Sequence, residues 1–513
     1  MAGRRLRVVP VVTARAPAVA AAGALLAAAA VAGDLPQFGY DAQHSGAVPS
    51  EAAISPATVG TLRLAHPPVQ LPAVADGAPA YAAGVPTAGG TVDLLLVTTT
   101  DGTLVAVDAA RGAVAWSFRP AAGPWYTTSS PAVGPDRRFV YTYGLDGRVH
   151  KVCLAAGTEV TSHGWPEVAT LKPDVEKGSS ALTVAAAGGR SYLYVASGGY
   201  LGDRGDYQGH VTTIDLATGA QRVFNANCSD LPCHLVEHGK GGARRPVPTA
   251  PGSAAPSGRG PASSTIRARG GSSPPRGNGP FDGDRGGMDW GDSILALHPD
   301  GPRGRPVDGY TPRDHRRLDR DDLDLGSTAP AGCRVAHPAA QSGKDVVIRL
   351  IDLADLSGRG GPGHVGGALQ VVAMPQGGEV LTAPAVWRDP DGGEVWMFVA
   401  NRRGISGLVL DVDADGGPRL RPVWTRRDGG TSPVVAGGVA LYASYQGLRA
   451  LDPRTGAVLW RDGRPDGIHW QSPIVADGRV AVADNSGRLL VYTVALSRRG
   501  SRAAEGRPGA RRR

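Results

Sequence analysis

A short phrase that occurs near both ends of the chain constrains the fold more than any other feature. Residues 101–116 and 446–460 share the spacing Ala-x-Asp-x-x-x-Gly-x-x-x-Trp. Apolar residues on either side of the Asp-to-Gly stretch predict two short strands joined by a tight turn. Because one such hairpin cannot bury its apolar face alone, its recurrence predicts an array of packed copies. The shared positions are Ala106, Asp108, Gly112 and Trp116 in the first copy and Ala450, Asp452, Gly456 and Trp460 in the second.

Weaker copies fill the sequence between and beyond the two strong ones. A second phrase, a small residue followed by Pro and an apolar pair, precedes many copies, as at 130–133 and 472–475. Four strands per unit, at roughly 40 residues per unit, are typical of propeller blades rather than of sandwiches or solenoids. With eight copies, the sequence predicts an all-β fold, an eight-bladed β-propeller of four-stranded antiparallel blades over residues 34–496. The weaker copies lie at 146–157, 209–219, 293–297, 345–352, 407–424 and 486–492.

The net charge of +8 comes from segments outside the repeats. Residues 1–33, 239–276 and 497–513 together carry 17 excess positive charges, which leaves the presumed propeller at −9. A basic body would indicate nucleic acid or an anionic surface as a partner, whereas an acidic body does not. We therefore expect no nucleic-acid partner, but a monomer that binds a protein or a small molecule whose identity the sequence leaves open.

The first 32 residues have the features of a secretory signal. A basic start precedes an apolar Ala/Leu/Val run, which ends in Ala-Val-Ala at residues 30–32. This pattern is typical of a signal peptide cleaved after the second Ala, so we expect export to the periplasm or beyond the cell. The alternative is an uncleaved anchor, because the apolar run approaches the roughly 17 residues at the low end for spanning a bilayer. Membrane contact is expected only through this segment.

Two further segments lack the repeat. Residues 239–276 contain no strand alternation and almost no large apolar side chains, so they cannot offset their ordering entropy. Because the repeat requires strands there, two explanations remain: a frameshift in a GC-rich gene, or a natural flexible loop. The basic tail at 497–513 is predicted to be disordered.

The chain has four cysteines. In an exported protein, Cys228 and Cys233 are close enough in sequence to form a local disulfide. Free thiols are the alternative. Cys153 and Cys333 belong to different predicted blades.

The intact phrases at 106–116 and 450–460 resemble the tryptophan-docking motif of quinoprotein propellers, the superfamily of pyrroloquinoline quinone (PQQ) repeat proteins and quinoprotein alcohol dehydrogenases. Residues 35–41, Leu-Pro-Gln-Phe-Gly-Tyr-Asp, are similar to the start of these proteins. The resemblance implies that Trp116 and Trp460 pack between neighbouring blades. It does not imply one activity, because the same propeller serves as a dehydrogenase and as a scaffold for outer-membrane assembly.

The dehydrogenases of this superfamily hold Ca²⁺ with a Glu, an Asn and an Asp that also acts as the base. Calcium prefers such oxygen ligands, and a carboxylate can take the proton of an alcohol. The resemblance implies Asn278 as the amide ligand and Asp322 as both metal ligand and catalytic base. In the segment expected to supply the Glu, only Asp203 or Asp206 could replace it. The adjacent cysteine pair that covers the quinone in these enzymes does not occur in this chain.

The sequence leaves two functions open. The first is an exported propeller that acts as a binding or scaffold module for an unassigned ligand. The second is a Ca²⁺/PQQ-dependent oxidoreductase acting on an alcohol or a sugar. The absent cysteine pair and the missing Glu favour the first.

Overall fold

The structure, a computed structural model, confirms an all-β chain built mainly from four-stranded antiparallel sheets. Consecutive strands are neighbours in almost every sheet, as in a meander. Among the described residues, no helix is long and apolar enough to cross a membrane. The described residues are 33–178, 180–200, 205–207, 209–226, 235–239, 265–267, 271–273, 279–301, 304–332, 338–413 and 415–495.

The first half of the chain forms three full sheets. Three short strands precede them: β1 (Ala47–Val48), β2 (Arg63–Leu64) and β3 (Val69–Gln70). Sheet 1 comprises β4 (Ala80–Thr87), β5 (Gly90–Thr98), β6 (Leu104–Asp108) and β7 (Ala113–Phe118). Sheet 2 comprises β8 (Ala132–Val133), β9 (Phe139–Tyr143), β10 (Arg148–Cys153) and β11 (Glu167–Val168). Sheet 3 comprises β12 (Glu176–Lys177), β13 (Thr183–Ala187), β14 (Arg190–Gly199), β15 (His210–Asp215) and β16 (Gln221–Asn225).

The next unit is the least regular. The strands β17 (Thr265–Arg267) and β18 (Gly271–Ser273) pair only with each other among the described residues, and they lie inside the low-complexity segment 239–276. Sheet 4 comprises β19 (Ile294–Ala296) and β20 (Asp308–Tyr310). A short helix follows, α1 (His315–Arg320). Single 3₁₀ turns lie at Val59–Thr61, Gly283–Arg285 and Leu325–Ser327.

The last part of the chain forms four sheets. Sheet 5 comprises β21 (Ala331–Gly332), β22 (Pro338–Ser342), β23 (Val347–Asp352) and β24 (Gln370–Ala373). Sheet 6 comprises β25 (Ala385–Arg388), β26 (Val395–Asn401), β27 (Gly404–Val412) and β28 (Pro418–Arg426). Sheet 7 comprises β29 (Val434–Ala436), β30 (Val439–Ser444), β31 (Gly447–Leu451) and β32 (Val458–Asp462). Sheet 8 comprises β33 (Ile474–Ala476), β34 (Arg479–Ala483) and β35 (Arg488–Thr493).

The core lies between the faces of neighbouring sheets. All five residues of β6 are buried, whereas four of the six residues of β7, the last strand of the same sheet, are exposed. A third strand buried on both faces reads as a continuous apolar run, because a sheet packs on each side of it. One apolar cluster joins sheets 1 and 2 through Leu94, Leu104 and Val140.

The repeated Asp and Gly residues build the turn between the third and fourth strands. The carboxylate of Asp108 accepts hydrogen bonds from the backbone N–H groups of Ala110 and Arg111, at 2.9 and 3.0 Å. Gly112 closes this turn at φ +68°, a conformation that favours glycine. Asp452 accepts the equivalent bonds from Arg454 and Thr455, both at 2.9 Å, and Gly456 lies at φ +70°.

The repeated Trp residues pack on the following sheet. A Cβ atom on Gly157 of sheet 2 would lie 2.7 Å from the Trp116 ring, and one on Gly456 of sheet 7 would lie 2.6 Å from the Trp424 ring. The glycine of each turn therefore leaves room for the tryptophan of the preceding sheet. Polar or ring contacts complete each pair: Trp116 donates to the carbonyl of Leu154, Trp424 donates to that of Pro453, and Trp460 meets the Tyr492 ring at 5.5 Å.

Residues 33–48, named here the axial segment, contact sheets that are distant from one another in sequence. Their hydrogen bonds reach Tyr81 of sheet 1, Val133 of sheet 2, Val184 of sheet 3, Val386 of sheet 6 and Val435 of sheet 7. Strands of five different sheets therefore contact this one short segment. His44 in this segment is buried, which lowers its pKa to about 3, and its Nε2 lies 2.9 Å from the Thr183 hydroxyl.

The two ends of the described chain meet in sheet 8. Both β2 and β3 pair antiparallel with β35. Asp76, which precedes sheet 1, accepts a hydrogen bond from the backbone N–H of Trp470, which precedes sheet 8, at 3.1 Å. The first and last sheets are therefore neighbours.

Candidate functional site

Two groups of polar side chains lie next to each other at one end of the sheets. At this end, the second strand of each sheet turns into the third. The acid–lysine cluster comprises Asp292, Asp322, Asp324 and Lys344. The rim cleft lies beside it between sheets 6, 7 and 8. The backbone N–H of Val380, which borders this cleft, donates to the carbonyl of Gly343 at 3.0 Å and so joins the two groups. Nine residues with side chains line the cleft: Glu379, Leu381, Thr382, Asn401, Arg402, Arg403, Tyr445, His469 and Trp470.

Asp322, which the resemblance to quinoproteins implies as the base, lies on the surface of the acid–lysine cluster. Its side chain is 66 % exposed, and its backbone adopts φ +53°. Its Oδ2 accepts a hydrogen bond from Lys344 Nζ at 3.1 Å. The catalytic role of Asp322 stays a prediction.

Asp324 supplies the buried carboxylate of the cluster. Its side chain is 2 % exposed, and Oδ2 lies 2.6 Å from Lys344 Nζ. Burial alone would lower the pKa of Lys344, but the carboxylates of Asp324 and Asp322 outweigh burial and raise it. Sequence reasoning missed Asp324, because the resemblance implied only Asp322, two residues earlier in the chain. Only the packing of the following 3₁₀ turn, with Leu325 fully buried, decides which of them points inward.

Asp292 is a wholly buried acid beneath this pair. Its Oδ1 accepts the backbone N–H of Leu325 at 3.1 Å, and its Oδ2 has no hydrogen-bond partner among the described residues. Burial raises the pKa of Asp292 well above the usual range. The hydrogen bond from Leu325 lowers this pKa, whereas the nearby carboxylates of Asp324, Asp319 and Asp345 raise it further. Asp292 therefore carries a proton at pH values where an exposed aspartate is ionised.

Asp292 also departs from the repeat. One residue separates Asp292 from β19, as one residue separates Gly102 from β6, and Asp292 and Gly102 both have positive φ, +46° and +82°. A residue with a Cβ atom costs about 1–2 kcal/mol in this conformation. Such strain is often retained at functional sites. An alignment of the repeats, with a non-glycine at this position, was the signal that could have found Asp292.

The described residues do not fit a calcium site. The ammonium of Lys344 lies within ion-pair distance of both Asp322 and Asp324, so a cation is already paired with these carboxylates. Asp206 is hydrogen-bonded to a different residue, with its Oδ1 2.8 Å from His238 Nδ1. Among the described residues, no three His, Cys, Asp or Glu side chains are placed to hold a metal. The predicted ligands Asn278 and Asp203 and the predicted disulfide partners Cys228 and Cys233 lie outside the described residues.

The rim cleft has a volume of about 340 Å³ and a framework of fixed polar groups. Asn401 is buried; its amide donates to the carbonyls of Gly377 and Gly378 at 2.7 and 3.0 Å and so holds one wall in place. On the opposite wall, His469 Nδ1 lies 2.7 Å from the Asp76 carboxylate. Clefts of this size with a few fixed polar groups are typical of small-ligand sites.

The accessible side chains of the rim cleft include aromatic and cationic ones, together with the acid Glu379. Tyr445 is 47 % exposed, and Arg402 and Arg403 are exposed beside it. The ring of Trp470 lies 4.6 Å from that of His469. Tyr, Trp and Arg are the residues that contribute most to binding in protein interfaces, because each joins a large apolar body to a polar group. The cleft therefore contains the residue types that are common in binding sites.

The sheets, the docked tryptophans and the axial segment define a β-propeller of the quinoprotein type. The sequence model described as outer membrane protein assembly factor BamB matches residues 43–226 and 354–507, more than half of the chain. The chain belongs to this family of PQQ-repeat propellers, as the resemblance predicted. No curated protein sequence matches the chain.

Solved structures agree on the fold. A europium-containing methanol dehydrogenase superposes with a TM-score of 0.62 at 15% identity, over 90% of this chain and 98% of that one. The quinohemoprotein alcohol dehydrogenase of Comamonas testosteroni gives 0.60 at 16% identity, over 90% and 80%. The quinohemoprotein alcohol dehydrogenase ADHIIG of Pseudomonas putida HK5 gives 0.59 at 16% identity, over 94% and 82%. At such identities the likeness concerns the fold alone.

Proposed function

We propose that this protein is an exported binding module, with a ligand site in the rim cleft, rather than an oxidoreductase. The observation that carries the proposal is the pairing of Lys344 with both Asp322 and Asp324. An ammonium held by two carboxylates takes the place beside them that a metal ion would need. Export is supported by the signal-like pattern of residues 1–32, which lie outside the described residues.

We further propose that the sheets are the eight blades of one ring, numbered as above, with sheet 8 beside sheet 1. The proposal is supported by hydrogen bonds that link the starts of successive sheets. Such hydrogen bonds also connect the irregular fourth unit to the units before and after it. Trp290 N donates to the carbonyl of Ala226 at 2.9 Å, and Leu325 N donates to Asp292. The contacts of the axial segment with five sheets and the pairing of β2 and β3 with β35 support the same arrangement.

The binding proposal predicts position-dependent cross-linking in cells. A photoreactive phenylalanine analogue at Tyr445, and separately at Arg402, should capture the same partner, because both side chains face the rim cleft. The same analogue at Val412 is the control, since this side chain is 65 % exposed and lies outside the cleft, at the end of β27. Equal capture from all three positions, or no capture from the two cleft positions, would contradict a ligand site in the rim cleft.

A second function, oxidation of an alcohol or sugar with PQQ and Ca²⁺, is favoured by one observation. Asp324 is a buried carboxylate beside the protonated acid Asp292, and such a pair could accept and hold a proton. This function requires Lys344 to leave the carboxylates and requires metal ligands from residues outside the described ones. It predicts stoichiometric uptake of PQQ, which the binding-module proposal does not.

A further inference from the structure

A second cleft, named here the arginine cleft, opens between sheets 6 and 7. It has a volume of about 450 Å³ and shares no lining residue with the rim cleft. Its guanidinium groups come from the end of β28 and from the paired strands β31 and β32. They belong to Arg426, Arg427, Arg449 and Arg461.

The charge of this cleft is unbalanced. Four guanidinium groups face one carboxylate, that of Asp428. Asp428 is already bonded to Arg449, with Oδ2 3.0 Å from Nε. In the part of the chain that the structure describes, the ion pairs include no partner for Arg426, Arg427 or Arg461. The cleft therefore presents about three uncompensated positive charges.

Arg449 forms a fixed wall of the cleft. The residue is 6 % exposed, and its Nη1 and Nη2 donate to the backbone and side-chain oxygens of Gln446 at 3.2 and 3.1 Å. On the neighbouring strand, Arg461 lies directly opposite Arg449 in the antiparallel register. Like charges in directly opposed positions destabilise a sheet, and a bound anion would remove this cost.

Arg426 lies at the boundary between sheets 6 and 7 and contacts both. Its Nη1 donates to the carbonyl of Gly456 in sheet 7 at 3.2 Å, which holds the guanidinium in place. Its Nε is buried and has no hydrogen-bond acceptor among the described residues. The guanidinium of Arg426 therefore makes one hydrogen bond among the described residues, that to Gly456.

We propose that the arginine cleft binds the phosphate group of a ligand. Guanidinium groups match the oxygens of a phosphate through paired, charge-assisted hydrogen bonds. A phosphate monoester carries about −1.5 to −2 charges near pH 7 and three strong acceptor oxygens, which suits three unpaired arginines. A cleft of this volume accommodates a small phosphate-bearing ligand. The phosphate can come from a soluble ester or from a lipid headgroup.

The test uses the full chain and isothermal titration calorimetry with inorganic phosphate and with glycerol 3-phosphate. Both should bind, and Arg461→Gln and Arg427→Gln should each raise the dissociation constant about tenfold, the usual loss for one charge-assisted hydrogen bond. Both side chains are exposed, so the variants should fold, which circular dichroism checks. Arg388→Gln is the control, because it removes one exposed arginine outside the cleft and should change the constant less than about twofold.

Vesicle flotation distinguishes the two sources of phosphate. Binding to vesicles of phosphatidic acid and phosphatidylcholine, but not of phosphatidylcholine alone, with loss in Arg461→Gln, supports a lipid headgroup. Binding of glycerol 3-phosphate without vesicle binding supports a soluble ester. Three results would overturn the proposal: no phosphate binding, equal weakening by Arg388→Gln and Arg461→Gln, or binding of an acidic peptide such as oligoglutamate in place of phosphate.

Discussion

Replacement of Gly456 by alanine should lower the free energy of unfolding by about 3 kcal/mol. The new Cβ atom would lie 2.6 Å from the Trp424 ring, and the residue would keep φ +70°, which a residue with a Cβ atom adopts at a cost. Displacing Trp424 would also weaken its hydrogen bond to the carbonyl of Pro453. Urea unfolding followed by tryptophan fluorescence measures the loss.

Gly189→Ala is the matched control for this prediction. Gly189 has nearly the same backbone conformation, φ +76°, but a Cβ atom there would meet nothing within 4 Å. Its expected cost is therefore only the backbone strain, about 1 kcal/mol. Equal losses for Gly189→Ala and Gly456→Ala would show that contact between Trp424 and the next sheet contributes nothing to stability.

Asp292→Asn should stabilise the protein at pH 8 by about 2 kcal/mol, because asparagine carries no charge and an unpaired buried carboxylate costs at least this much, and it should have almost no effect at pH 4. The folded-state pKa of Asp292 is raised, so the folded protein keeps a proton that the unfolded chain releases above about pH 3.9. Stability contributed by this group is complete below that pH and is lost as the pH rises through the folded-state value. Asparagine removes this loss and keeps an oxygen for the Leu325 N–H.

The measurement is the difference in unfolding free energy between the variant and the parent protein at several pH values. Other acids with raised pKa, such as Asp34 and Asp308, are present in both proteins and cancel in this difference. Asp284→Asn, at a partly exposed side chain, is the control and should give a difference near zero at every pH. A difference that does not grow with pH for Asp292→Asn would contradict the buried, protonated acid.

The repeat predicted the sheets because its residues interact with neighbours that are close in sequence. Asp108 and Gly112 form the turn through bonds within a few residues, so their spacing is visible in the sequence wherever the turn recurs. Trp116 follows at a constant distance because it must reach the turn of the next sheet. Local turns and periodic packing can therefore be predicted without a structure.

The candidate site could not be predicted in the same way. Asp322 and Asp324 are two residues apart, and the sequence does not distinguish them; the difference arises because Leu325 is buried and turns Asp324 inward with it. Lys344 belongs to a different loop and becomes relevant only when the fold brings it to both carboxylates. The arginine cleft likewise depends on the register of β31 and β32, which places Arg449 opposite Arg461.

Uptake of PQQ is the most direct test of a binding module against an oxidoreductase. The purified protein is dialysed with PQQ and Ca²⁺, and bound quinone is measured by its absorbance, together with dye-linked oxidation of alcohols and sugars. Because Lys344 already pairs with the two carboxylates, we expect no bound quinone and no dye reduction. Stoichiometric quinone with substrate-dependent dye reduction would contradict this account.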